Sequence, residues 1–365
     1  MSDPAVPAFQ LQPSAQARTP EQRAQILANP GFGQYFTDHM AVVRWDADNG
    51  WHDAVVQAYG PIALDPAASV LHYAQEIFEG LKAFRHADGS VWSFRPQANA
   101  ARLQRSARRL ALPELPAETF VESLRALLKL DAAWVPEGGE SSLYFRPFMI
   151  ADEAFLGVRA ARKASYYVIA SPAGSYFKGG IKPLTIWVSQ DYTRAGRGGT
   201  GAAKCGGNYA ASLLPQQQAY ANGCEQVLFL DGEHMRYVEE LGGMNVFLVR
   251  RDGTLVTPEL TGTILEGVTR LSILQLARDM GHQVEERRIP VQEWIDGLNS
   301  GEIVESFACG TAASVSPIGA LKGEGFAAGD AAKPPGEVTM ALRKALTDIQ
   351  YGRAPDTHGW MTRLA

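Results

Sequence analysis

The chain has 365 residues, a length that fits two domains of about 150 residues each better than one small module. Its 46% hydrophobic and 20% charged residues are typical of a globular protein, and its net charge of -5 argues against binding to a phosphate backbone. No run approaches the roughly 18 apolar residues of a membrane span, and the three cysteines lack C-x-x-C spacing, so we expect a cytoplasmic protein with no structural metal and no nucleic-acid or membrane partner.

The first part of the chain is predicted to be a loose arm, residues 1–30, that leads into strands. Between Phe36 and Phe84, short apolar runs alternate with turn signals such as DADNG, which predicts a meander of strands and then a helix near Phe78. The run NAARLQRSARRL has apolar residues at helical spacing, so it predicts an amphipathic helix over residues 99–110 with Asn99 as its cap.

A second helix is predicted over Ala117–Asp131, followed by strands in SLYFRPFMI and SYYVIASPAG. These elements complete a predicted small domain, residues 31–172. A stretch dense in Gly, Ser and Pro follows, and we expect an interdomain linker at residues 173–181. Residues 182–365 are then the larger C-terminal domain.

The C-terminal domain mixes strands and helices without a tandem βαβ rhythm, which favours an α+β fold with mixed sheets. Strands are predicted in TIWVS, QVLFLD and MNVFLVRRDGTLVT, the last with a hairpin turn at Asp252-Gly253. The helix VTRLSILQLARDMG is expected to end at Gly281 in a left-handed cap. Residues 323–336, rich in Ala, Gly, Lys and Pro, are predicted to be a surface loop.

The segment RAGRGGTGAAKCGGNYAAS contains one lysine, Lys204, among glycines and small residues. Small neighbours let a flat ligand approach the backbone, and such a lysine can lose its proton and attack an aldehyde, so Lys204 is a Schiff-base candidate. A surface-loop lysine is the alternative interpretation. A nucleoside-triphosphate loop is disfavoured, because Ala202-Ala203 stands where Lys-Ser/Thr is required.

Three further segments could bind an anion or a heteroaromatic nitrogen. In YVEELGGMNVF, the carboxylate of Glu239 or Glu240 could hold a ring nitrogen protonated, or the two could be a solvated pair. In ILEGVTR, the start of a helix near Thr269 could bind phosphate, or Thr269 could only cap that helix. In GTAAS, residues 310–314 could form an anion-binding turn, or only a turn.

The order and spacing of these pieces resemble the class IV aminotransferases, which are fold type IV pyridoxal-phosphate enzymes of two domains with the fold of D-amino-acid aminotransferase. The runs FGQYFTDHM, LHYAQEIFEGLKAF, LYFRPFMI, KCGGNYAAS and IQYGR resemble the branched-chain amino acid aminotransferases, in their eukaryote-like subgroup. The matches run in order from about Phe32 to Arg353.

The resemblance implies pyridoxal 5'-phosphate as the cofactor, bound in the C-terminal domain. The implied cofactor-binding residues are Arg102, Lys204, Tyr209, Glu240, Leu265, Gly267, Val268, Thr269 and Thr311. Lys204 would be the catalytic residue, forming the Schiff base and moving the proton at the substrate Cα. Glu240 would pair with the pyridine nitrogen and Tyr209 with the phenolic oxygen, while Arg102 would contact the phosphate.

The resemblance also implies the reaction, in which leucine, isoleucine or valine exchanges its amino group with 2-oxoglutarate by a ping-pong mechanism. The implied substrate-binding residues are Phe32, Tyr73, Phe78, Tyr144, Arg146, Val158, Tyr176, Thr311 and Ala312. Val158 would come from the other subunit of a homodimer. Because an apolar pocket must also accept glutamate, a polar group is needed for its γ-carboxylate, and Arg146 or Tyr73 is the candidate.

Other functions stay open at this point. D-amino-acid aminotransferases and aminodeoxychorismate lyases share the lysine, the glutamate and the phosphate turn, and a non-catalytic pyridoxal-phosphate-binding protein is a different class of answer. The chain departs from mammalian members after its GTA turn, where GTAASVSP has no C-x-x-C pair. We therefore expect no redox regulation there, and we interpret Cys205 and Cys309 as small packing residues.

Overall fold

A computed structural model describes residues 8–174 and 180–365, and it divides the chain into two compact units. The first unit comprises Met1–Tyr176, Ala203–Gly206 and Ile349–Ala365, and the second comprises Phe177–Ala202 and Gly207–Asp348. The short segment around Lys204 and the C-terminal tail thus belong with the N-terminal unit. The predicted linker at residues 173–181 gives a single boundary and does not include these two segments. Their place in the first unit depends on long-range packing.

The strands are numbered here in chain order. They are β1 (Gln10–Leu11), β2 (His39–Asp46), β3 (Gly50–Ala58), β4 (Glu76–Phe78), β5 (Leu81–Arg85), β6 (Val91–Phe94), β7 (Ser142–Ile150), β8 (Lys163–Ala173), β9 (Leu184–Val188), β10 (Gln226–Leu230), β11 (Val238–Leu241), β12 (Asn245–Arg250), β13 (Leu255–Pro258), β14 (Val284–Arg287), β15 (Ile303–Gly310), β16 (Ser314–Gly323), β17 (Phe326–Gly329) and β18 (Met361–Arg363).

The helices are α1 (Pro20–Ala28), α2 (Ser69–Tyr73), α3 (Pro96–Arg109), α4 (Ala117–Asp131), α5 (Gly206–Ala210), α6 (Leu213–Ala221), α7 (Val268–Asp279), α8 (Val291–Ser300) and α9 (Glu337–Gln350). Within the described ranges, no helix combines the length and the apolar character needed to cross a membrane.

The first unit is built on a nine-stranded sheet in the order β1-β3-β2-β8-β7-β5-β6-β18, with β4 paired to β7. Only β1 and β3 run parallel among the described pairs of this sheet. The apolar faces of α3 and α4 pack on it through Leu103, Leu124 and Leu127, which join Phe145 and Tyr166 in one buried cluster. This packing follows from the helical spacing of the apolar residues.

The second unit is built on another nine-stranded sheet, in the order β11-β10-β9-β16-β15-β12-β13-β14, with β17 paired to β16. Parallel pairs (β10 with β9, β16 with β9, β13 with β14) lie beside antiparallel ones, so the sheet is mixed. The predicted α+β class with mixed sheets is therefore confirmed. Gly253 has a φ of +85° in the hairpin turn between β12 and β13, and Gly281 has a φ of +85° just after α7, as predicted.

Several local predictions are wrong. The predicted helix near Phe78 is the strand β4, which pairs with β7; only the short α2 precedes it. Asn99 does not cap α3, because that helix begins three residues earlier at Pro96 and the buried Asn99 side chain donates a hydrogen bond to Glu79. The favourable position of proline in the first helical turn explains the earlier start.

Two segments predicted as irregular contain regular structure. Within residues 1–30, β1 pairs with β3, and α1 begins at a capping box in which Thr19 and Gln22 satisfy each other's backbone N–H groups. Within residues 323–336, β17 forms a hairpin with β16. Both cases reflect pairing and capping that composition alone does not indicate.

Candidate active site

Lys204 of the first unit lies in a cluster of charged and aromatic groups. Its backbone is held at both ends of the residue: the Lys204 N–H donates to Ser106 Oγ at 2.9 Å, and the Phe78 N–H donates to the Lys204 carbonyl at 2.9 Å. Its Nζ lies 4.6 Å from the centroid of the Phe78 ring. The interpretation of Lys204 as an ordinary surface lysine is therefore wrong, since two elements fix it in a partly buried position.

Burial lowers the pKa of Lys204 to about 8, and the positive charge of Arg102 acts in the same direction. The carboxylate of Glu79 opposes this shift, because a nearby negative charge favours the ammonium form. A lysine near pKa 8 is partly unprotonated at neutral pH, and the neutral amine is the form that attacks an aldehyde.

Glu79 and Arg102 form a buried, bidentate ion pair beside this lysine. The Arg102 Nε and Nη2 donate to the two Glu79 carboxylate oxygens at 2.7 and 2.8 Å, and Asn99 Nδ2 donates to Glu79 at 2.8 Å. Although burial acts to raise the pKa of Glu79, the charge and hydrogen bonds of Arg102 outweigh it, and the pKa lies below its usual value. Glu79 is thus a carboxylate that holds Arg102 in place on α3.

Aromatic rings and one arginine surround the Lys204 side chain. Phe32 and Tyr144 pack edge to face with centroids 5.1 Å apart. The Arg146 guanidinium lies 4.8 Å from the Phe78 ring and 5.4 Å from the Tyr144 ring, and it donates to the Tyr144 hydroxyl at 3.1 Å. The structure therefore brings Phe32, Phe78, Tyr144 and Arg146 together, while their role in substrate binding stays a prediction.

Gly80 makes this arrangement possible. A Cβ at this position would lie 2.0 Å from the Tyr144 hydroxyl oxygen, well inside any allowed contact. Glu79 thus binds Arg102, and the adjacent Gly80 lacks a side chain, which lets the Tyr144 hydroxyl lie against its backbone.

The remaining predicted substrate residues of the first unit lie apart from these contacts or outside the described residues. The Tyr73 hydroxyl donates to the carbonyl of Leu156, in the same run as Val158, which is 86% exposed. Tyr176 lies outside the described ranges, so its predicted role stays a prediction.

Glu240 is the corresponding buried acid of the second unit. It lies on β11 and is 2% exposed, so the interpretation of a solvated pair is wrong. Its Oε1 pairs with Arg194 Nη1 at 2.8 Å and accepts the Leu265 N–H at 2.8 Å. Asn245 Nδ2 donates to its Oε2 at 3.4 Å. Glu240 is therefore fixed from three directions.

The helix α7 begins beside this carboxylate, with Gly267 in the N-cap position in an extended conformation. A Cβ on Gly267 would lie 2.0 Å from the Asn245 side-chain oxygen, so the close approach requires glycine. Thr269 is in the first turn and no side chain caps the helix, so the interpretation of Thr269 as its cap is wrong. The N–H groups of Val268 and Thr269 belong to the first turn, which has no intrahelical acceptors and favours anions.

Thr311 and Ala312 lie in the tight turn between β15 and β16, next to Ser314, which has a φ of +58°. Tyr209 lies on α5, and its ring is close to Gly243, where a Cβ would meet the ring at 3.8 Å. Burial raises the pKa of Cys309 to about 12, so this thiol is protonated and fits a packing role.

The sequence interpretation missed Glu79, Arg194 and Asn245, which position the predicted residues. Two of them carried a signal: Glu79 is the single acid in the apolar run IFEGLKAF, and Arg194 opens the glycine-rich segment that contains Lys204. A charged residue in such surroundings needs a buried partner, which points to an ion pair.

The first unit contains a lysine of lowered pKa, and the second contains a buried carboxylate beside the start of a helix. Both are groups of the kind that pyridoxal-phosphate enzymes use. The family model described as amino-transferase class IV matches residues 76–321, and the chain belongs to this family. Within it, the chain groups with the branched-chain-amino-acid aminotransferases. The predicted eukaryote-like subgroup stays a prediction.

Known proteins of this group cover nearly the whole chain. The branched-chain-amino-acid aminotransferase of Mycolicibacterium smegmatis is 59% identical over 360 residues, which are 98% of each chain. The crystal structure of the Escherichia coli branched-chain amino acid aminotransferase has a TM-score of 0.73 at 26% identity, covering 89% of this chain and 100% of that one. The branched-chain aminotransferase from Thermoproteus uzoniensis with norvaline has a TM-score of 0.73 at 25% identity, covering 90% and 100%. The predicted fold type and enzyme class are confirmed.

Proposed function

We propose that the chain catalyses reversible transamination of L-leucine, L-isoleucine and L-valine with 2-oxoglutarate, giving branched-chain 2-oxo acids and L-glutamate. The observation that carries this proposal is the Lys204 cluster, in which an amine of pKa about 8 faces aromatic side chains. Family membership favours this reaction over the D-amino-acid aminotransferase, the aminodeoxychorismate lyase and the non-catalytic alternatives.

Pyridoxal 5'-phosphate is the cofactor of class IV aminotransferases, and the residues present fit it. When bound, its ring draws electrons from the bonds at the substrate Cα. Lys204 would supply the amine that holds the cofactor covalently, and the same Nζ would move the proton at the substrate Cα. A partly unprotonated lysine suits both tasks, because it must be nucleophilic first and a base later.

Glu240 would hold the proton on the pyridine nitrogen through a charge-assisted hydrogen bond. Its Oε1 accepts from Arg194 and the Leu265 N–H, and its Oε2 accepts from Asn245, so the orientation of the carboxylate is fixed. Arg194 places a positive charge 2.8 Å from the Glu240 carboxylate. Tyr209 would donate to the phenolic oxygen, and Leu265 would pack against the ring.

The cofactor phosphate would be held by the first-turn N–H groups of α7, at Val268 and Thr269, together with Thr311 and Arg102. Gly267 is required at the start of α7 by its approach to Asn245 and leaves this helix end open to an anion. Glu79 accepts hydrogen bonds from two of the Arg102 nitrogens and so orients this side chain.

The substrate side chain would contact the rings of Phe32, Phe78 and Tyr144, which suit branched aliphatic groups. In the second half-reaction Arg146 would meet the γ-carboxylate of glutamate, with Tyr73 as the other candidate. The Arg146 Nε is buried and has no hydrogen-bond partner among the residues that the structure describes, so this arginine retains a donor for an anion. The backbone at Thr311 and Ala312 would take the substrate α-carboxylate.

We further propose a cytoplasmic homodimer in which Val158 completes the substrate pocket of the other subunit. Val158, Leu156 and Leu71 are 86%, 61% and 58% exposed, and exposed apolar residues at neighbouring positions are typical of an interface. The hydroxyl of Tyr73 donates to the Leu156 carbonyl and ties the two apolar segments together.

The dimer predicts that Leu156→Lys shifts the mass measured by light scattering from dimer towards monomer. Val304→Lys is the matched control, because Val304 is a single exposed apolar residue of the second unit, 53% exposed and outside the proposed interface. An equal shift in both variants, or in neither, would contradict the proposed surface.

The reaction is tested by replacing the lysine. Lys204→Ala should lose at least about 1000-fold in turnover of L-leucine with 2-oxoglutarate, because the nucleophile and base are removed. Lys163→Ala is the control, since Lys163 is an exposed lysine at the start of β8 and should keep its activity. Full turnover in the Lys204 variant would disprove the proposed role.

A further inference from the structure

The second unit contains a cavity of about 270 Å³ whose charged lining has no place in the proposed reaction. Its charged lining residues are Arg197, Asp231, Glu233, Glu239, Glu259 and Arg288. Of the second-unit residues assigned above to the cofactor, none lies among the described residues that line it. Glu239 lines this cavity, whereas its neighbour Glu240 on β11 is not among the lining residues.

Glu239 is the distinctive residue of this cavity. It is only 5% exposed, and its Oε1 accepts a hydrogen bond from the Thr263 hydroxyl. Its Oε2 is buried and has no hydrogen-bond partner anywhere in the described ranges. A buried carboxylate oxygen without a partner costs folding free energy, so a donor supplied by a ligand would be stabilising.

The other acids of the lining are already satisfied or hydrated. Asp231 accepts three backbone N–H groups, from His234, Arg236 and Tyr237, at 2.8, 2.9 and 2.6 Å. Glu233 is exposed to solvent. Glu239 is therefore the acid that a cationic ligand would contact.

The two basic side chains also differ. Arg288 pairs with Glu259 at 3.3 Å and lies 5.4 Å from the Tyr237 ring. Arg197 is exposed and has no ion-pair partner among residues 8–174 and 180–365. The cavity thus offers one unsatisfied acid and one unpaired base, which is the charge pattern that complements a zwitterion.

We propose that this cavity binds a small zwitterionic amino acid, whose ammonium group contacts the Glu239 carboxylate and whose carboxylate faces Arg197. No group of three or more His, Cys, Asp or Glu side chains in the described part of the chain is arranged for a metal ion. The site goes beyond the proposed transamination and does not depend on it.

The groups that face Glu239 make binding depend on pH. Burial raises the pKa of Glu239 to about 7; the charges of Glu240 and Asp231 act in the same direction, while the Thr263 hydrogen bond and Arg194 oppose it. Because an ammonium ligand needs the ionised carboxylate, the affinity should weaken by about tenfold between pH 8 and pH 6.

The test is calorimetric titration of the cofactor-loaded protein with glycine at pH 8, with the visible absorption of the cofactor recorded in parallel. The wild type should bind saturably without a change in the visible band. Glu239→Gln should weaken the affinity at least tenfold, because it removes the charge while keeping the side-chain shape. Glu233→Gln, the control for a charge at the cavity mouth, should change the affinity less than about twofold.

Three results would overturn the proposal: no saturable binding to the wild type, an unchanged affinity in Glu239→Gln, or an affinity that does not fall from pH 8 to pH 6. Binding that alters the visible band and survives in Glu239→Gln would place glycine at Lys204 instead. Absence of any visible band would contradict the proposed transamination but leave the calorimetric result for the cavity intact.

Discussion

The Glu79 carboxylate offers the sharpest test of how the Lys204 cluster is held. In Glu79→Gln the side-chain shape is kept, but the Arg102 guanidinium loses its charge partner at two contacts of 2.7 and 2.8 Å. The side chains of Arg102 and Glu79 are 5% and 0% exposed, so water cannot replace the lost carboxylate. Removing one partner of a buried ion pair costs about 3 to 5 kcal/mol, and we expect a loss of at least about 3 kcal/mol in the free energy of unfolding.

The same helix supplies a matched control. Arg108 on α3 also makes a bidentate pair, with Glu114 at 2.9 and 2.8 Å, but these side chains are 65% and 42% exposed. Glu114→Gln should therefore cost less than about 1 kcal/mol. Both values follow from urea unfolding of the cofactor-free protein monitored by circular dichroism. Equal losses in the two variants would refute the reasoning that burial sets the cost.

Three further predictions concern the two units. Gly80→Ala should displace Tyr144 and reduce kcat/KM for L-leucine at least about tenfold in steady-state kinetics. Gly60→Ala is the control and should be neutral, because a Cβ at Gly60 meets no atom within 4 Å. Equal values of kcat/KM in the two variants would contradict the contact between Gly80 and Tyr144. The rate at which apoprotein takes up pyridoxal phosphate should rise with pH around a midpoint of about 8, since neutral Lys204 is the reactive form; a midpoint near 10.5 would contradict its lowered pKa. The pKa of Glu239 is raised from 4.5 to about 7 in the folded chain, so its ionisation lowers the free energy of unfolding as pH rises from 5 to 8. Glu239→Gln should therefore have a free energy of unfolding up to about 3 kcal/mol above that of the wild type at pH 8. A constant difference between the urea midpoints of variant and wild type from pH 5 to pH 8 would disprove the shift.

Much of the fold could be predicted because the signals were local. The helix α4 has the predicted bounds Ala117–Asp131, and the hairpin and the helix end at Gly253 and Gly281 follow from turn chemistry. The strand β4 could not be predicted in this way, since EIF is too short for a periodic pattern and its conformation depends on pairing with β7. Tertiary pairing overrides weak local preference in such short segments.

In the candidate site, too, some residues could be predicted from local sequence and others could not. Lys204 and Glu240 stand out in the sequence because their neighbours are small or apolar, and the structure buries Glu240 and lowers the pKa of Lys204. For their partners Glu79 and Arg194, the sequence indicates only that a charged residue stands among apolar residues or glycines and needs an ion-pair partner. The pairing of each carboxylate oxygen with an arginine nitrogen depends on contacts between distant parts of the chain. The spacing of residues along the sequence does not predict these contacts.

The most direct test of the central claim is an absorption titration of the purified, cofactor-loaded protein with L-leucine and, separately, with D-alanine. The visible band of the cofactor bound at Lys204 should disappear with L-leucine and return when 2-oxoglutarate is added, while D-alanine should leave it unchanged. A band that does not respond to L-leucine, or that responds to D-alanine instead, would contradict the assignment of this chain's substrates.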